Sequence, residues 1–242
     1  MATGGTIAMR YDPIRQGIFS AVTGAELVEA VPPLADVCPV EVLEFSNIPS
    51  PHMTPAKMFN LSQAVDTVLE IHSAREVTKT HSANPKTFSS PFWGPIGYVD
   101  VDRVIFCRTS LQLQKIQPSH LETDVHLIKL AAGVNGFLLR CLADKGVKGI
   151  VVEGLGRGNI PPSVLPGIAL ALEKNIPVVL TTRVAGGRVL DVYGYKGAVK
   201  PLKEMGVILG GEISGQKARL KLMLALGITS DHTEIAKFFD IP

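Results

Sequence analysis

The chain has 242 residues and a formal net charge of +2; 46% of its residues are hydrophobic and 19% are charged. This length fits one or two domains with a sizeable buried core. Intrinsic disorder is excluded, because it requires low hydrophobicity and a high net charge. A general nucleic-acid binder would carry a basic stripe, and a membrane helix needs an apolar run of about 20 residues. The sequence has neither, so we expect a soluble globular protein with no nucleic-acid and no membrane partner.

The cysteines and histidines do not form the spacings of a metal or disulfide site. Cys38, Cys107 and Cys141 are widely separated and include no CxxC pair, and the six histidines are dispersed. We therefore expect no metal, a reducing cytoplasmic compartment, buried apolar roles for the cysteines and surface or loop positions for the histidines. The glycines between Gly154 and Gly158 lack the spacing of a dinucleotide-binding loop, so we expect no cofactor.

The N-terminal half has an interrupted pattern. We predict a helix over 26–31, a strand over 40–45, a helix over 55–70, a polar loop over 72–95 and a hairpin over 96–106. The change of pattern at Glu70 and Ile71 has no turn signal. Half of a sheet is therefore missing at this point of the sequence.

The C-terminal half alternates strands and helices. The runs over 148–153 and 176–182 are short, apolar and β-branched, which is typical of strands buried on both faces. A glycine-rich turn over 154–159 and a helix over 161–174 separate them, and this order predicts a parallel βαβ unit. The remaining predicted elements are helices over 133–145, 214–226 and 229–239 and a strand over 206–210. We expect Gly146 to end the first of these helices and Ser214 to cap the second.

The stretch from Ala2 to Met9, ATGGTIAM, is the most informative for chemistry. A threonine hydroxyl on a glycine-rich turn can attack an acyl carbon if a base removes its proton, while nearby backbone N–H groups hold the oxyanion. By itself, however, the motif is more simply a strand-to-loop turn in which Thr3 and Thr6 make local hydrogen bonds.

Several further blocks decide between these interpretations. The sequence contains TGAELVEAVP, SNIPSPHMTP, REVTKT, WGPIGY, GLGRGN and QKAR, in this order after ATGGTIA. Together these blocks resemble the bacterial-type L-asparaginases of the asparaginase/glutaminase family, and the resemblance covers nearly the whole chain. It implies an α/β, asparaginase-like two-domain fold, with a truncated N-terminal Rossmann-like domain over 1–121 and a complete, smaller, parallel α/β C-terminal domain over 122–242.

The resemblance also implies roles for individual residues. Thr6 matches the nucleophile that forms a β-aspartyl acyl-enzyme, and Ser50 matches a serine that binds the α-carboxylate or amine of the substrate. Asn159 matches an asparagine that reaches into the active site of a neighbouring subunit, which implies a homodimer or homotetramer. Lys79 and Thr80 belong to a family motif, and we expect their roles to be structural.

The sequence departs from the family in three places. The family places a tyrosine on the loop after the nucleophile, where this chain has Ile18 and Phe19, with Tyr11 as a candidate substitute. Pro51 follows Ser50 where many members carry a polar amide. The third departure is the absence of the His-Gly-Thr-Asp-Thr block, the Gly-Ala-Met-Arg strand and the lysine of a second Thr–Lys–Asp triad.

The absent blocks belong between the helix that ends near Glu70 and the segment that starts near Ile71. Their loss removes a second hydroxyl, the carboxylate that holds the substrate's amino group, and central strands, so Thr6 has no evident base and sheet edges become exposed. The family also runs a strand into the Thr-Gly-Gly-Thr motif, whereas Met1 stands next to it here. We expect an internally deleted and N-terminally clipped asparaginase, and a signal segment upstream of the clipped start is left open.

Three functions remain as hypotheses. The first is an amidohydrolase that converts L-asparagine, or alternatively L-glutamine, to the acid and ammonia through Thr6. The second is a non-catalytic remnant of the same fold, which the missing block favours. The third is an amidotransferase-related subunit, which would carry a further N-terminal domain.

Overall fold

A computed structural model describes residues 2–4, 8–30, 42, 44–57, 70–82, 87–100, 103–109 and 114–240. The chain divides into two compact units, an N-terminal unit of residues 1–109 and a C-terminal unit of residues 110–242. Each unit has its own sheets and is described separately below.

The C-terminal unit is organised around one four-stranded parallel sheet. Its strands are β10 (Val125–Lys129), β11 (Gly149–Gly154), β12 (Val178–Thr182) and β13 (Ile208–Leu209), which lie side by side in that order. Its helices are α2 (Phe137–Lys145), α3 (Leu165–Glu173), α4 (Val199–Glu204), α5 (Gly215–Leu226) and α6 (His232–Phe239). The predicted parallel pairing of the strands at 150 and 178 is confirmed.

Both faces of this sheet are covered. The apolar side chains of α2, α3 and α4 pack with Ile150, Val152, Val178 and Leu180 on one face. Those of α5 and α6 pack with Val125, Val151 and Val179 on the other. Alternate residues of one strand thus enter opposite cores, which explains why β11 and β12 are apolar without interruption.

Several predicted boundaries in this unit need correction. The first helix begins at Phe137 instead of Gly133, because Asn135 turns back to accept a hydrogen bond from the Phe137 N–H (3.0 Å). Gly146 ends it in the left-handed conformation, as predicted. Ser214 is the N-cap residue of α5, but its side chain makes no capping hydrogen bond. Strand β10 and helix α4 were not predicted individually.

The N-terminal unit contains several small sheets among its described residues. Its strands are β1 (Ala2–Gly4), β2 (Met9–Asp12), β3 (Gly17–Ser20), β4 (Glu44–Ile48), β5 (Glu70–Ile71), β6 (Thr78–Lys79), β7 (Phe88–Ser89), β8 (Gly97–Asp100) and β9 (Arg103–Phe106). Strands β1 and β4 are parallel, whereas the β2–β3, β6–β7 and β5–β8–β9 sheets are antiparallel. Helix α1 (Gly24–Glu29) lies between β3 and β4 in the sequence.

The predicted hairpin over 96–106 is confirmed as β8 and β9. The helix predicted over 26–31 begins two residues earlier, because Thr23 caps it. The predicted loop over 72–95 contains the ladder of β6 and β7, which the sequence pattern did not reveal. Of the helix predicted over 55–70, residues 55–57 are helical and residues 58–69 lie outside the described residues.

The expectation for the cysteines is wrong at two positions. Cys107 and Cys141 are free and exposed, because Cys107 follows the edge strand β9 and Cys141 lies on the outward side of α2. Cys38 lies outside the described residues. Among the helices that the structure describes, none is long and apolar enough to cross a membrane.

Candidate functional site

The predicted site residues of the N-terminal unit follow two paired parallel strands. Gly4, the last residue of β1, is the register partner of Ile48, the last residue of β4. Ser50 begins a short 3₁₀ turn (Ser50–His52) two residues after Ile48. Thr6 follows Gly4 by two residues and lies outside the described residues. The carboxyl ends of β1 and β4 therefore share one edge, which is where parallel sheets place their ligands.

The described residues on both sides of Thr6 are held in place. Before it, the carbonyl oxygen of Thr3 accepts a hydrogen bond from the Ser46 hydroxyl (2.9 Å). After it, Ala8 is buried and its carbonyl oxygen accepts the backbone N–H groups of Ala21 and Val22, both at 3.0 Å. Asn47 donates its side-chain N–H to the carbonyl oxygen of Val22 (3.2 Å).

Helix α1 begins at Gly24, two residues after Val22. Thr23 and Glu26 form a capping box: the Glu26 N–H donates to the Thr23 hydroxyl (3.2 Å), and the Glu26 carboxylate accepts from the Thr23 N–H (2.7 Å). The Thr23 hydroxyl also donates to this carboxylate (3.0 Å), and the hydrogen bonds from the Thr23 backbone and hydroxyl, together with the charge of Arg10, lower the pKa of Glu26. Glu44 accepts the next N–H, that of Gly24, which links the helix start to β4.

The hairpin of β2 and β3 contains Tyr11, the candidate substitute for the tyrosine that the family places after the nucleophile. Tyr11 is the register partner of Ile18, one of the two positions at which the resemblance expects the tyrosine. Directly opposite residues of an antiparallel pair project from the same face, so Tyr11 carries its phenol on the face where Ile18 projects. Tyr11 is exposed, as is Ile18.

In the C-terminal unit, Asn159 closes the turn that follows β11. Its backbone N–H donates to the Leu155 carbonyl (2.9 Å), and its carbonyl accepts the Leu155 N–H (2.7 Å). Gly156 and Gly158 adopt φ angles of +51° and +103°, where a side chain would be strained. The Asn159 side-chain oxygen is buried and has no hydrogen-bond partner within the described chain.

Two neighbouring segments fix the shape of this turn. The Thr182 hydroxyl, at the end of β12, donates to the carbonyl oxygen of Gly156. The Leu190 N–H donates to the Arg157 carbonyl (3.2 Å). Lys203 hydrogen-bonds Asp191 (2.8 Å) and lowers the pKa of that carboxyl, which ties the following loop to α4. The turn therefore holds the buried, unpaired carboxamide oxygen of Asn159 on a backbone that neighbouring segments fix.

One polar cluster was missed by the sequence analysis. His72 lies in a loop, one of the two positions expected for it, but its side chain is largely buried, with Nδ1 at 2.9 Å from the Ser90 hydroxyl and Nε2 at 3.2 Å from a Glu70 oxygen. Glu70 and His72 are neighbours at β5, and Ser90 follows β7, so the hydrogen bond of His72 joins segments that are 18 residues apart in sequence. Thr80 donates its hydroxyl to the Thr87 carbonyl (2.8 Å), and Lys79 is exposed on β6, so neither contacts a predicted site residue in the described part of the chain.

The described residues contain no cluster of three or more histidine, cysteine or acidic side chains that could hold a metal ion. The described residues at the β1–β4 edge supply backbone amides and the hydroxyl groups of Thr3 and Ser46. Ser50 is placed there by its backbone, and Asn159 belongs to the other unit.

Family models match most of the chain. A model of the asparaginase N-terminal domain matches residues 1–71, and a model of the glutaminase/asparaginase C-terminal domain matches residues 124–239. The first match ends at Ile71, where the sequence pattern is interrupted.

Individual relatives agree with this assignment. An L-asparaginase of Bacillus licheniformis is 35% identical over 156 residues, which cover 64% of this chain and 48% of that protein. A glutamyl-tRNA(Gln) amidotransferase subunit of Methanobrevibacter smithii is 31% identical over 182 residues, covering 72% of this chain and 41% of that protein. The chain thus spans about half the length of the curated relatives that it matches.

The fold agrees as well. The crystal structure of a probable cytoplasmic L-asparaginase from Campylobacter jejuni superimposes with a TM-score of 0.76 and 25% sequence identity, over 98% of this chain and 97% of that chain. With both domain models matched in their expected order and a mixed α/β two-domain fold shared with that structure, the chain belongs to the asparaginase/glutaminase family.

Proposed function

We propose that the edge formed by the carboxyl ends of β1 and β4 is the site of an L-asparagine amidohydrolase, with Thr6 as nucleophile and Ser50 as substrate-binding residue. The observation that carries the proposal is the register pairing of Gly4 with Ile48. Consecutive Cα atoms are about 3.8 Å apart, so Thr6 and Ser50 each lie within about 8 Å of these paired residues. The pairing supports the proposal that Thr6 and Ser50, which the family resemblance selects, act at one edge.

The proposed reaction is acyl transfer. The Thr6 hydroxyl attacks the side-chain carbonyl of asparagine, ammonia leaves, and water releases aspartate from the resulting ester. Backbone N–H groups of the glycine-rich segment would stabilise the oxyanion. L-Glutamine is the alternative substrate, since it presents the same amide one methylene further from the α-carbon.

The chain lacks an evident base for this reaction. A threonine alcohol is a poor nucleophile at neutral pH, and general-base assistance contributes about 10²- to 10⁴-fold. The family's His-Gly-Thr-Asp-Thr block is absent from the sequence. We therefore propose that these 242 residues release ammonia slowly or not at all, and that the absent block limits the rate.

The test is ammonia release from L-asparagine by the chain and by a version with a family His-Gly-Thr-Asp-Thr-to-lysine segment inserted between Glu70 and Ile71. The insertion should raise turnover by about 10²-fold or more, and Thr6→Ala should abolish the gain. Efficient hydrolysis by the original chain would contradict the role of the missing block. Hydrolysis that survives Thr6→Ala would contradict the nucleophile assignment.

A second candidate, an amidotransferase-related subunit, is supported by the similarity to the subunits of archaeal glutamyl-tRNA(Gln) amidotransferases. A third, a non-catalytic remnant, is supported by the absent block. Ammonia release that depends on Thr6 but rises only when an acceptor-bearing partner protein is added would favour the second. Binding of L-aspartate without any turnover, before and after the insertion, would favour the third.

Assembly, compartment and domain boundary complete the proposal. We propose a homodimer or homotetramer, because Asn159 matches the asparagine that, by the family resemblance, reaches into the active site of a neighbouring subunit. Light scattering and turnover measurements on the segment-inserted chain test this assembly, and a fully active monomer would contradict it.

The name of the Campylobacter relative supports a cytoplasmic location. The proposed domains remain 1–121 and 122–242.

A further inference from the structure

The N-terminal unit contains a hydroxyl, an imidazole and a carboxylate that are joined in series, and none of them has a role in the function proposed above. Nδ1 of His72 lies 2.9 Å from the Ser90 hydroxyl, and Nε2 lies 3.2 Å from an oxygen of Glu70. A hydroxyl next to a base that a third group orients is the arrangement by which enzymes activate a serine. The three side chains therefore have the connectivity of a reactive serine site.

The backbone holds both the serine and the histidine of this series. His72 directly follows β5, where the Ile71 carbonyl accepts the Ile96 N–H (2.7 Å). Ser90 directly follows β7, which pairs with β6, and its own carbonyl accepts the Gly94 N–H (2.8 Å). The contact between the two side chains thus joins the ends of two ladders, and these ladders set its geometry.

The carboxylate determines which nitrogen of the neutral imidazole carries the proton. An ionised carboxylate only accepts hydrogen bonds, so Glu70 requires the N–H of His72 to be on Nε2. Nδ1 is then an acceptor, and the Ser90 hydroxyl has to donate to it. The hydroxyl proton therefore points at the base that would remove it.

The reactive end of the series is shielded from water. The His72 side chain is 8% exposed and Ser90 is 5% exposed, whereas the Glu70 side chain is 39% exposed. Because the effective dielectric is low in such surroundings, the hydrogen bond from hydroxyl to imidazole is stronger than it would be in water. The small exposed fraction of Ser90 also restricts the site to small electrophiles.

Exposed aromatic side chains near Ser90 indicate the class of substrate. Phe88, Phe92 and Trp93 are each more than half exposed and lie within three residues of Ser90 in the sequence. Exposed apolar surface of this size commonly marks a binding site. Such surface favours an apolar substrate over a charged one.

We propose that Ser90 is the nucleophile of a second site, which hydrolyses small apolar carboxylic esters with His72 as base and Glu70 as positioning residue. The Ser90 oxygen bonds to the acyl carbon and its proton passes to Nδ1 of His72. The ester C–O bond then breaks, and the alcohol leaves with that proton. Water gives a proton to the same nitrogen and attacks the acyl-serine, which releases the acid and restores the serine hydroxyl. This site shares no residue with the asparagine site proposed above, so either proposal can fail without the other.

The first experiment locates the nucleophile without altering the site. The full-length Thr6→Ala chain, which lacks the hydroxyl of the proposed asparagine site, is treated with a small alkyl fluorophosphonate. The serine oxygen bonds to phosphorus, fluoride leaves, and mass spectrometry of the peptides identifies the labelled residue. Label is expected on Ser90, and Ser89, the preceding residue on β7, is the internal control. A chain without label on Ser90, or with as much label on Ser89, would overturn the proposal.

The second experiment measures hydrolysis of p-nitrophenyl butyrate in the same Thr6→Ala background. Ser90→Ala and His72→Gln should each lower kcat/KM by about 10²-fold or more, since each removes the attacking group or its base. Ser89→Ala is the matched control and should leave kcat/KM unchanged. A rate that survives both Ser90→Ala and His72→Gln would overturn the site. Equally fast hydrolysis of the p-nitrophenyl half-ester of succinate, which carries a charge, would overturn the substrate class.

Glu70→Gln distinguishes positioning from a purely structural role. A carboxamide can donate to Nε2 of His72, which moves the imidazole proton to Nδ1, so labelling of Ser90 should slow by about tenfold or more. Nitrogen chemical shifts of the His72 ring should place the proton on Nε2 in the Thr6→Ala chain and on Nδ1 after Glu70→Gln. Slower labelling with an unchanged tautomer would overturn the positioning role, and so would an unchanged labelling rate.

Discussion

The C-terminal unit is built around one parallel sheet with a core on each face, whereas the described part of the N-terminal unit consists of separate small sheets. Every fully buried apolar residue of the described chain except Ala8 lies in the C-terminal unit. In the N-terminal unit, large apolar side chains such as Trp93, Val104 and Phe106 are exposed. The described parts of the two units therefore differ in how much apolar surface they bury, and such burial is the dominant favourable term in folding.

The difference coincides with the interruption of the sequence pattern. The match to the N-terminal family model ends at Ile71, and the C-terminal model matches without interruption from residue 124. Strand β9, which contains Val104 and Phe106, has a partner on one side only among the described strands. An edge strand with apolar side chains requires cover from further strands or helices. The exposed apolar side chains of β9 thus lie in the half of the chain where the match to the family is interrupted.

The largest expected difference between the units is their resistance to proteolysis. Because cleavage reports local opening, and opening is opposed by buried apolar contacts, we expect the N-terminal unit to be cut about tenfold or more faster than the C-terminal unit. Limited proteolysis followed by mass spectrometry should leave a fragment that starts between residues 110 and 122. Equal digestion of both units would contradict the comparison and the proposed domain boundary.

The next effect is the cost of removing one apolar side chain from each unit. Leu180 is fully buried in β12 between helices and sheet, so Leu180→Ala should lower the free energy of unfolding by about 3 kcal/mol. Phe106 is 60% exposed, so Phe106→Ala should change it by about 0.5 kcal/mol or less. Urea unfolding followed by circular dichroism measures both. A larger loss for Phe106→Ala would show that β9 is covered in solution.

The same comparison shows what the sequence could predict. In the C-terminal unit, the strands at 149–154 and 178–182 and the helix between them were predicted closely, because a strand buried on both faces is apolar throughout. Strand β10, Val125–Lys129, was missed because it lies at the edge of the sheet and carries polar residues at His126 and Lys129. Its identity as a strand depends on the pairing with β11.

The candidate site was only partly predictable. The resemblance selects Thr6, Ser50 and Asn159, but no pattern indicates that Gly4 pairs with Ile48 across more than forty residues of chain. The cluster of Glu70, His72 and Ser90 was missed for a similar reason, since Ser90 is 18 residues from His72 in sequence and meets it only in the folded chain. Long-range register is set by tertiary packing, which short sequence windows do not contain.

The next prediction concerns Gly215, which packs against the buried carboxylate of Glu153 in the C-terminal unit. The carboxylate of Glu153 is buried at the end of β11, pairs with Lys129 (3.1 Å), and lies against Gly215 at the start of α5. A Cβ at Gly215 would come within 2.6 Å of the Glu153 Cγ, so Gly215→Ala should destabilise the unit by about 1–3 kcal/mol. Gly194→Ala is the matched control, because a Cβ there meets nothing within 4 Å. Equal melting temperatures for the two variants would contradict this packing.

The smallest expected effect is the pH dependence of the stability of helix α1. The start of this helix is held by exposed hydrogen bonds and not by buried apolar contacts. The Thr23 N–H and hydroxyl bind the Glu26 carboxylate and lower its pKa in the folded chain. A carboxyl whose folded pKa lies below its unfolded value adds stability that is complete above the unfolded pKa and is lost as the pH falls through the folded pKa. The helix should therefore loosen below about pH 4.5, the ordinary pKa of this group.

Hydrogen exchange of residues 24–30 measures this pH dependence. Glu26→Gln should abolish it, while Glu29→Gln, on the exposed end of the same helix, should retain it. If Glu26→Gln and the parent chain lose protection in parallel as the pH falls, the capping carboxylate is not what holds the start of this helix.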